Sequence, residues 1–89
     1  MAHRLSLYGE YDITRRFELR SLLATLPNDG PITIDLKNVP FGDSIFMREL
    51  VALRHRLPNA HITLAGADAN MHVLLTIVGF DNLFHLAEA

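Results

Sequence analysis

Apolar and polar residues alternate over three short stretches of the chain, and each stretch predicts a β-strand with one buried face. The inward positions are Leu5 and Leu7 in residues 4–8, Ile32, Ile34 and Leu36 in residues 32–36, and Ile62 and Leu64 in residues 61–65. The opposite face is expected to carry Thr33, Asp35 and Thr63, more exposed than their neighbours. Because a strand covered on both faces is continuously apolar, the alternation predicts helices mainly on one face of the sheet.

Three other stretches have apolar residues at the three- and four-residue spacing of an amphipathic helix. The first helix is predicted over residues 13–26 with Asp12 as its cap, the second from Asp43 or Ser44 to the residue before Pro58, and the third over residues 69–78, followed by Gly79. Aspartate and serine are favoured N-caps, and glycine is favoured just beyond a helix. Residues 83–86 predict either a short strand or a final helical turn.

The order of these elements predicts an α/β fold, with a small, mostly parallel sheet of about four strands joined by right-handed crossovers. Its length of 89 residues is that of a single domain spanning residues 1–89. We expect the inward strand residues to pack against helix residues, namely Phe17, Leu22, Leu50, Leu53 and Leu74.

Composition narrows the class of protein. The chain is 49% hydrophobic and 20% charged, as expected of a folded globular domain. Its net charge of −2 provides no general attraction to nucleic acid or to an acidic membrane, and no apolar stretch approaches membrane-spanning length. The absence of cysteine excludes disulfides, thiolate metal sites and a cysteine nucleophile. Because residues 1–5 lack the apolar segment of a signal peptide, we expect a cytoplasmic protein.

Candidate catalytic groups are few. The five histidines include no HExxH motif or paired metal-ligand spacing, and Gly42-Asp43-Ser44 lacks the glycines and the lysine of a P-loop. Asp12, Asp35 and Asp43 could converge at the carboxyl edge of the sheet, where α/β proteins keep their sites. Three scattered carboxylates do not define a site, so we expect no enzyme, no metal and no cofactor.

The stretch that contains Asp43 and Ser44 is the strongest functional candidate. Pro40 and Gly42 end the preceding strand, so the Asp-Ser pair is delivered to the first turn of the second helix. Free N–H groups and the helix dipole favour an anion at that point, which suits a phosphorylated serine. Both residues also serve as ordinary caps, and the sequence leaves the two interpretations open.

An apolar surface is expected next to this serine. The third helix has few polar residues, so part of it is either core or a contact site for a partner. We predict a docking patch beside Ser44 that is formed by Phe41, Ile45, Met47, Val73 and Ile77.

Four motifs, in order along nearly the whole chain, resemble those of one family. They are Gly9-Glu10-Tyr11-Asp12 after the first strand, the second strand over residues 32–39, Asp43-Ser44 after it, and Gly79-Phe80-Asp81-Asn82-Leu83-Phe84 near the end. Together they resemble the STAS domain, the module found in sulphate transporters and anti-sigma factor antagonists. The run Asp-Ser-Ile-Phe is nearer to stressosome-type STAS proteins than to antagonists that continue with Ser/Thr-Gly.

This resemblance implies a bacterial anti-sigma factor antagonist that acts in transcription regulation under stress. Such a protein binds an anti-sigma factor with serine kinase activity, is switched off when that kinase phosphorylates Ser44, and is restored by a phosphatase. Asp12 and Asp43 are then the neighbours of the phosphosite.

Two alternatives stay open. One is a STAS scaffold subunit without a phosphoswitch, in a homo- or hetero-oligomeric stressosome-like assembly or as a component of a lipid transporter. The other is a small nucleotide-binding module that uses Asp12, Asp43 and Ser44.

Overall fold

The fold is built on one sheet of four parallel strands, in the spatial order β1-β2-β3-β4. The computed structural model describes residues 1–40 and 42–87. The strands are β1 (His3–Tyr8), β2 (Ile32–Asn38), β3 (Ile62–Ala65) and β4 (His85–Leu86). The predicted α/β fold with a small parallel sheet is therefore confirmed.

Three α-helices connect consecutive strands: α1 (Arg16–Ala24), α2 (Ser44–Arg56) and α3 (Ala69–Ile77). Because neighbouring parallel strands are joined by right-handed crossovers, all three helices lie on the same face of the sheet. On that face Ile32, Ile34 and Leu36 of the central strand β2 are fully buried. The alternation in the sequence predicted this one-sided arrangement, and the sheet bears it out.

The ends of the predicted helices differ from the structure in two places. Residues Ile13–Arg15 form a 3-10 turn, and α1 begins only after it and ends at Ala24. Near the end of the chain, Phe80–Asn82 form a second 3-10 turn and His85–Leu86 form the edge strand. Of the two alternatives predicted for residues 83–86, the strand is the one present, and the 3-10 turn precedes that segment.

The predicted position of Phe17 in the core is wrong. Its side chain is 70% exposed, whereas Leu19 and Leu23 are buried and define the inward face of α1. Residues two positions apart do not share a helix face, so Phe17 points away from that core. Leu74 is likewise only half-buried, and its neighbour Leu75 takes the core position in α3.

Asp35 lies on the open face of the sheet, as predicted. The prediction that it is exposed there is wrong, because the residue is buried. Its carboxylate accepts hydrogen bonds from Arg4 Nη2 of β1 at 3.0 Å and from the backbone N–H of Lys37 at 2.9 Å. The Lys37 N–H, assisted by Arg4, lowers the pKa of Asp35 against the opposing effect of burial. A pattern of alternation identifies a face but cannot show that neighbouring side chains cover it.

Candidate functional site

Ser44 is the first residue of α2, and it is exposed at the carboxyl edge of the sheet. Asp43 precedes it with extended backbone angles and caps the helix through its side chain. Asp43 Oδ1 accepts hydrogen bonds from the N–H groups of Ile45 at 3.0 Å and Phe46 at 3.1 Å. The cap that the sequence assigned to either residue therefore belongs to Asp43, and the Ser44 hydroxyl is not required for it.

The loop before Ser44 packs tightly against α2 and α3. A side-chain carbon at Gly42 would come within 2.7 Å of the Phe46 ring and 3.3 Å of the terminal methyl groups of both Met47 and Met71. Only glycine leaves room for this approach. The side chains of Met47 in α2 and Met71 in α3 thus both reach Gly42.

A shallow cleft of about 190 Å³ opens between this loop and α3. It is lined by Pro40, Gly42, Asn70, Met71 and Leu74. Its lining is mainly apolar, which suits the insertion of an apolar side chain from a partner better than the binding of a charged metabolite.

The outer face of α3 continues this apolar surface. Val73 is 57% exposed and Ile77, one turn later, is 75% exposed, while Met71 and Leu75 are buried against the sheet. Residues at four-residue spacing lie on one helix face, so Val73 and Ile77 form a continuous apolar strip. An exposed strip of this kind, unaccompanied by charge on α3, is typical of a contact site.

Two residues of the predicted patch, Ile45 and Met47, belong to α2. Ile45 and Met47 are two residues apart, and the side chain between them, Phe46, is fully buried. Met47 reaches Gly42, and residues two positions apart do not share a helix face, so Ile45 lies on another face of α2. Val73 and Ile77 lie on α3, and a single patch formed by these residues stays a prediction. Phe41, the remaining member, lies outside the described residues.

Asp12 is engaged in its own turn. Its carboxylate accepts hydrogen bonds from the backbone N–H of Thr14 at 2.9 Å and from the Thr14 hydroxyl, and these bonds lower the pKa of Asp12. Asp68 caps α3 in a similar way, through Met71 N–H at 2.8 Å. The 3-10 turn before α1 and the helices α2 and α3 thus each begin with an aspartate cap. Among residues 1–40 and 42–87, no group of three His, Asp or Glu side chains is placed to hold a metal ion.

Tyr11 links the first motif to the helix that carries Ser44, a role the sequence did not reveal. Its buried ring stacks on Phe46 with centroids 6.1 Å apart, and its hydroxyl accepts a hydrogen bond from the Tyr8 N–H at 3.1 Å. The guanidinium carbon of Arg15 also lies over the Tyr11 ring, 4.2 Å from its centroid. This packing positions the Gly9–Asp12 turn next to the start of α2.

The fold is similar to two solved structures. One is a sulfate transporter family protein from Wolinella succinogenes, with a TM-score of 0.74, and the other is the STAS domain of a SulP transporter from Vibrio cholerae, with a TM-score of 0.70. Both are 14% identical to this chain, and the matches cover 94% of it and 75% and 72% of those two chains. No family model and no curated protein matches the sequence. With four parallel strands backed by three helices, the chain has the fold of a STAS domain.

None of the helices in the described part of the chain is both long and apolar enough to cross a membrane.

Proposed function

We propose that this chain is a cytoplasmic anti-sigma factor antagonist, a protein-binding module controlled by phosphorylation of Ser44. The observation that carries the proposal is the exposed position of Ser44 as the first residue of α2, behind a cap that Asp43 supplies. A kinase can reach a hydroxyl at this position without opening the fold. The unphosphorylated form binds an anti-sigma kinase, and the phosphorylated form releases it.

A phosphate on Ser44 changes the surface without unfolding it. It adds about −1.5 to −2 charges next to the Asp43 carboxylate. The positive end of the helix dipole and the exposed Arg48, one turn further along α2, offset part of this repulsion within the domain. A partner that must bury the same position faces both the added charge and the cost of removing water from it.

The docking surface in this proposal is the strip formed by Met47, Val73 and Ile77, together with the cleft beside Gly42. Met47 reaches Gly42 in the loop that leads to Ser44, the cleft borders the same loop, and Val73 and Ile77 are exposed apolar residues of α3. A phosphate at the end of such a surface opposes binding by placing charge at the rim of an apolar contact.

The test compares affinity for the anti-sigma kinase before and after phosphorylation, with the modified residue identified by mass spectrometry. We expect phosphorylation of Ser44 to weaken binding at least about tenfold, a loss of 1.4 kcal/mol. Ser44→Asp should weaken binding partly, and Ser44→Ala should bind regardless of kinase treatment. Asn28→Asp is the control, because it adds one negative charge in the exposed turn at the other end of the sheet. Undiminished binding by the phosphorylated form would refute the switch.

The surface is tested separately from the switch. Val73→Asp and Ile77→Asp place charges on the exposed strip of α3, and both should abolish binding to the same kinase. Asn28→Asp is again the control, because it adds the same charge in the exposed turn at the other end of the sheet. Undiminished binding by both α3 variants would exclude the strip as the docking site.

A second candidate is a scaffold or transporter subunit without a phosphoswitch. It is favoured by the similarity in fold to a SulP transporter STAS domain. Co-purification of the tagged protein from its natural host separates the two candidates: a membrane transporter component as the stable partner supports the second, and a kinase of the anti-sigma type supports the first.

A further inference from the structure

An aromatic side chain stands exposed on the outer face of α1, between two arginines. Phe17 is 70% exposed, and the guanidinium carbons of Arg16 and Arg20 lie 5.9 Å and 5.5 Å from its ring centroid. Exposing a phenylalanine has a cost in free energy, and aromatic and arginine side chains are the residues enriched at the centres of protein interfaces.

Both arginines approach the same carboxylate, that of Glu49 in α2. Arg20 donates two hydrogen bonds to the Glu49 carboxylate of α2, from Nε at 2.9 Å and from Nη2 at 3.2 Å. Arg16 Nε lies 3.9 Å from the same carboxylate. The Glu49 side chain is only 5% exposed, whereas those of Arg20 and Arg16 are 49% and 37% exposed. The free N–H groups of Arg20 are thus presented to solvent in a fixed position, which lowers the entropy lost when a partner binds.

A groove between α1 and α2 begins at this point. Phe17, Arg20 and Ala24 lie at positions i, i+3 and i+7 and so share one face of α1. The groove has a volume of about 280 Å³ and a predominantly apolar lining. Its lining residues are Arg20, Leu23, Ala24, Glu49, Ala52, Leu53 and Arg56.

Arg56 closes the far end of the groove. Its Nη2 donates to the carbonyl oxygens of Leu23 at 2.9 Å and Leu26 at 3.1 Å, so it is also fixed in position. An apolar channel between two anchored cationic groups is the complement of an apolar side chain flanked by carboxylates.

The charge of this face is opposite to that of the whole molecule. It carries Arg16, Arg20, Arg48 and Arg56 against one carboxylate, Glu49, which two of those arginines already neutralise. The exposed acid of α1, Glu18, pairs with Arg15. Since the chain as a whole has a net charge of −2, the rest of its surface is distinctly acidic. A second copy of this face is therefore a poor occupant, because like charges would meet.

We propose that the groove between α1 and α2 binds an acidic amphipathic helix of a partner protein. An apolar side chain of that helix enters between Ala24 and Ala52, its neighbours pack on Phe17, and its carboxylates pair with Arg20 and Arg56. This mode of binding, a helix in a groove, needs an apolar floor and complementary charge at the rim. The groove is lined by residues of α1 and α2, whereas Val73 and Ile77 belong to α3, so the proposal goes beyond the Ser44 switch and does not depend on it.

The probe is a synthetic 16-residue amphipathic helical peptide with Leu and Phe on one face and Glu on the other. Its control replaces every Glu by Lys. The measurement is NMR. We expect the backbone amide chemical shifts of residues around Arg20, Ala24 and Ala52 to change when the Glu peptide is titrated into the protein, and to stay unchanged with the Lys peptide. Affinity should fall as salt concentration rises, because the charged groups are at the solvent-exposed rim.

Two exposed positions provide the variants. Ala52→Glu should weaken binding of the Glu peptide at least about tenfold. Ala52→Gln introduces an uncharged side chain of the same size as Glu and should weaken binding far less. Phe17→Ala should weaken it several-fold while the folded spectrum is unchanged.

Three results would overturn the proposal. The first is equal affinity for the Glu and Lys peptides. The second is a change of amide chemical shifts confined to α3, which would place the peptide on the strip that contains Val73 and Ile77. The third is sedimentation of the protein with phosphatidylglycerol vesicles combined with no binding of the Glu peptide, which would assign the arginines to a lipid surface.

Discussion

The Glu49 carboxylate of α2 is buried and accepts two hydrogen bonds from the Arg20 guanidinium of α1, at 2.9 and 3.2 Å. This pair ties two helices together on the surface away from the sheet.

The pair makes stability depend on pH. The Arg20 hydrogen bonds lower the pKa of Glu49 from its ordinary value of 4.5, against the effect of burial. A lowered folded-state pKa means that the stabilisation is present above pH 4.5 and is lost as the pH falls through the folded-state value. Glu49→Gln should lower the free energy of unfolding by about 1 kcal/mol at pH 7 and should flatten its decline on acidification.

Urea denaturation at a series of pH values measures both effects. Glu18→Gln is the control, since Glu18 is exposed in its pair with Arg15 and the substitution should leave the free energy of unfolding nearly unchanged. An acid decline as steep in Glu49→Gln as in the wild type would show that Glu49 does not contribute to it.

Asp43 and Ser44 should respond differently to truncation. Asp43→Ala removes the two side-chain hydrogen bonds that cap α2 and should lower the free energy of unfolding by about 1 kcal/mol. Ser44→Ala should change it by less than about 0.5 kcal/mol, because an exposed hydroxyl that is not the cap contributes little. Thermal and urea denaturation of the two variants measure the difference. A larger loss for Ser44→Ala would transfer the capping role to the serine.

Gly66 and Gly79 provide a matched pair of left-handed residues. Their φ angles are +76° and +84°, so alanine at either position should cost about 1–2 kcal/mol of backbone strain. At Gly66 the new carbon would also lie 2.8 Å from Asp35 Oδ1 and 3.0 Å from Lys37 Cβ, while at Gly79 no described atom lies within 4 Å. Gly66→Ala should therefore lose about 1–3 kcal/mol more than Gly79→Ala. Equal urea unfolding midpoints for the two variants would show that the Asp35 side chain moves aside at no cost in free energy.

Phe46 and Phe17 test which aromatic ring belongs to the core. Phe46 is fully buried and stacks on Tyr11, so Phe46→Ala should lower the free energy of unfolding by about 3–5 kcal/mol. Phe17 is 70% exposed, and Phe17→Ala should stay within about 0.5 kcal/mol of the wild type. Chemical denaturation followed by circular dichroism distinguishes them. Comparable losses of unfolding free energy in the two variants would show that Phe17 belongs to the core.

The periodicity of the sequence was enough to predict the order of elements, the parallel sheet and its single covered face. These features depend on local rules: alternation in strands, three- and four-residue spacing in helices, and aspartate, glycine and proline at the ends. The start of α2 at Asp43-Ser44 and the left-handed Gly79 after α3 follow from the same rules.

Only the tertiary structure decided which polar groups are buried and which apolar ones are not. Asp35 is covered because Arg4 reaches it across the strand pair, and Glu49 because Arg20 reaches it across a helix pair. Such pairings join residues about thirty positions apart, and a local pattern contains no information on them.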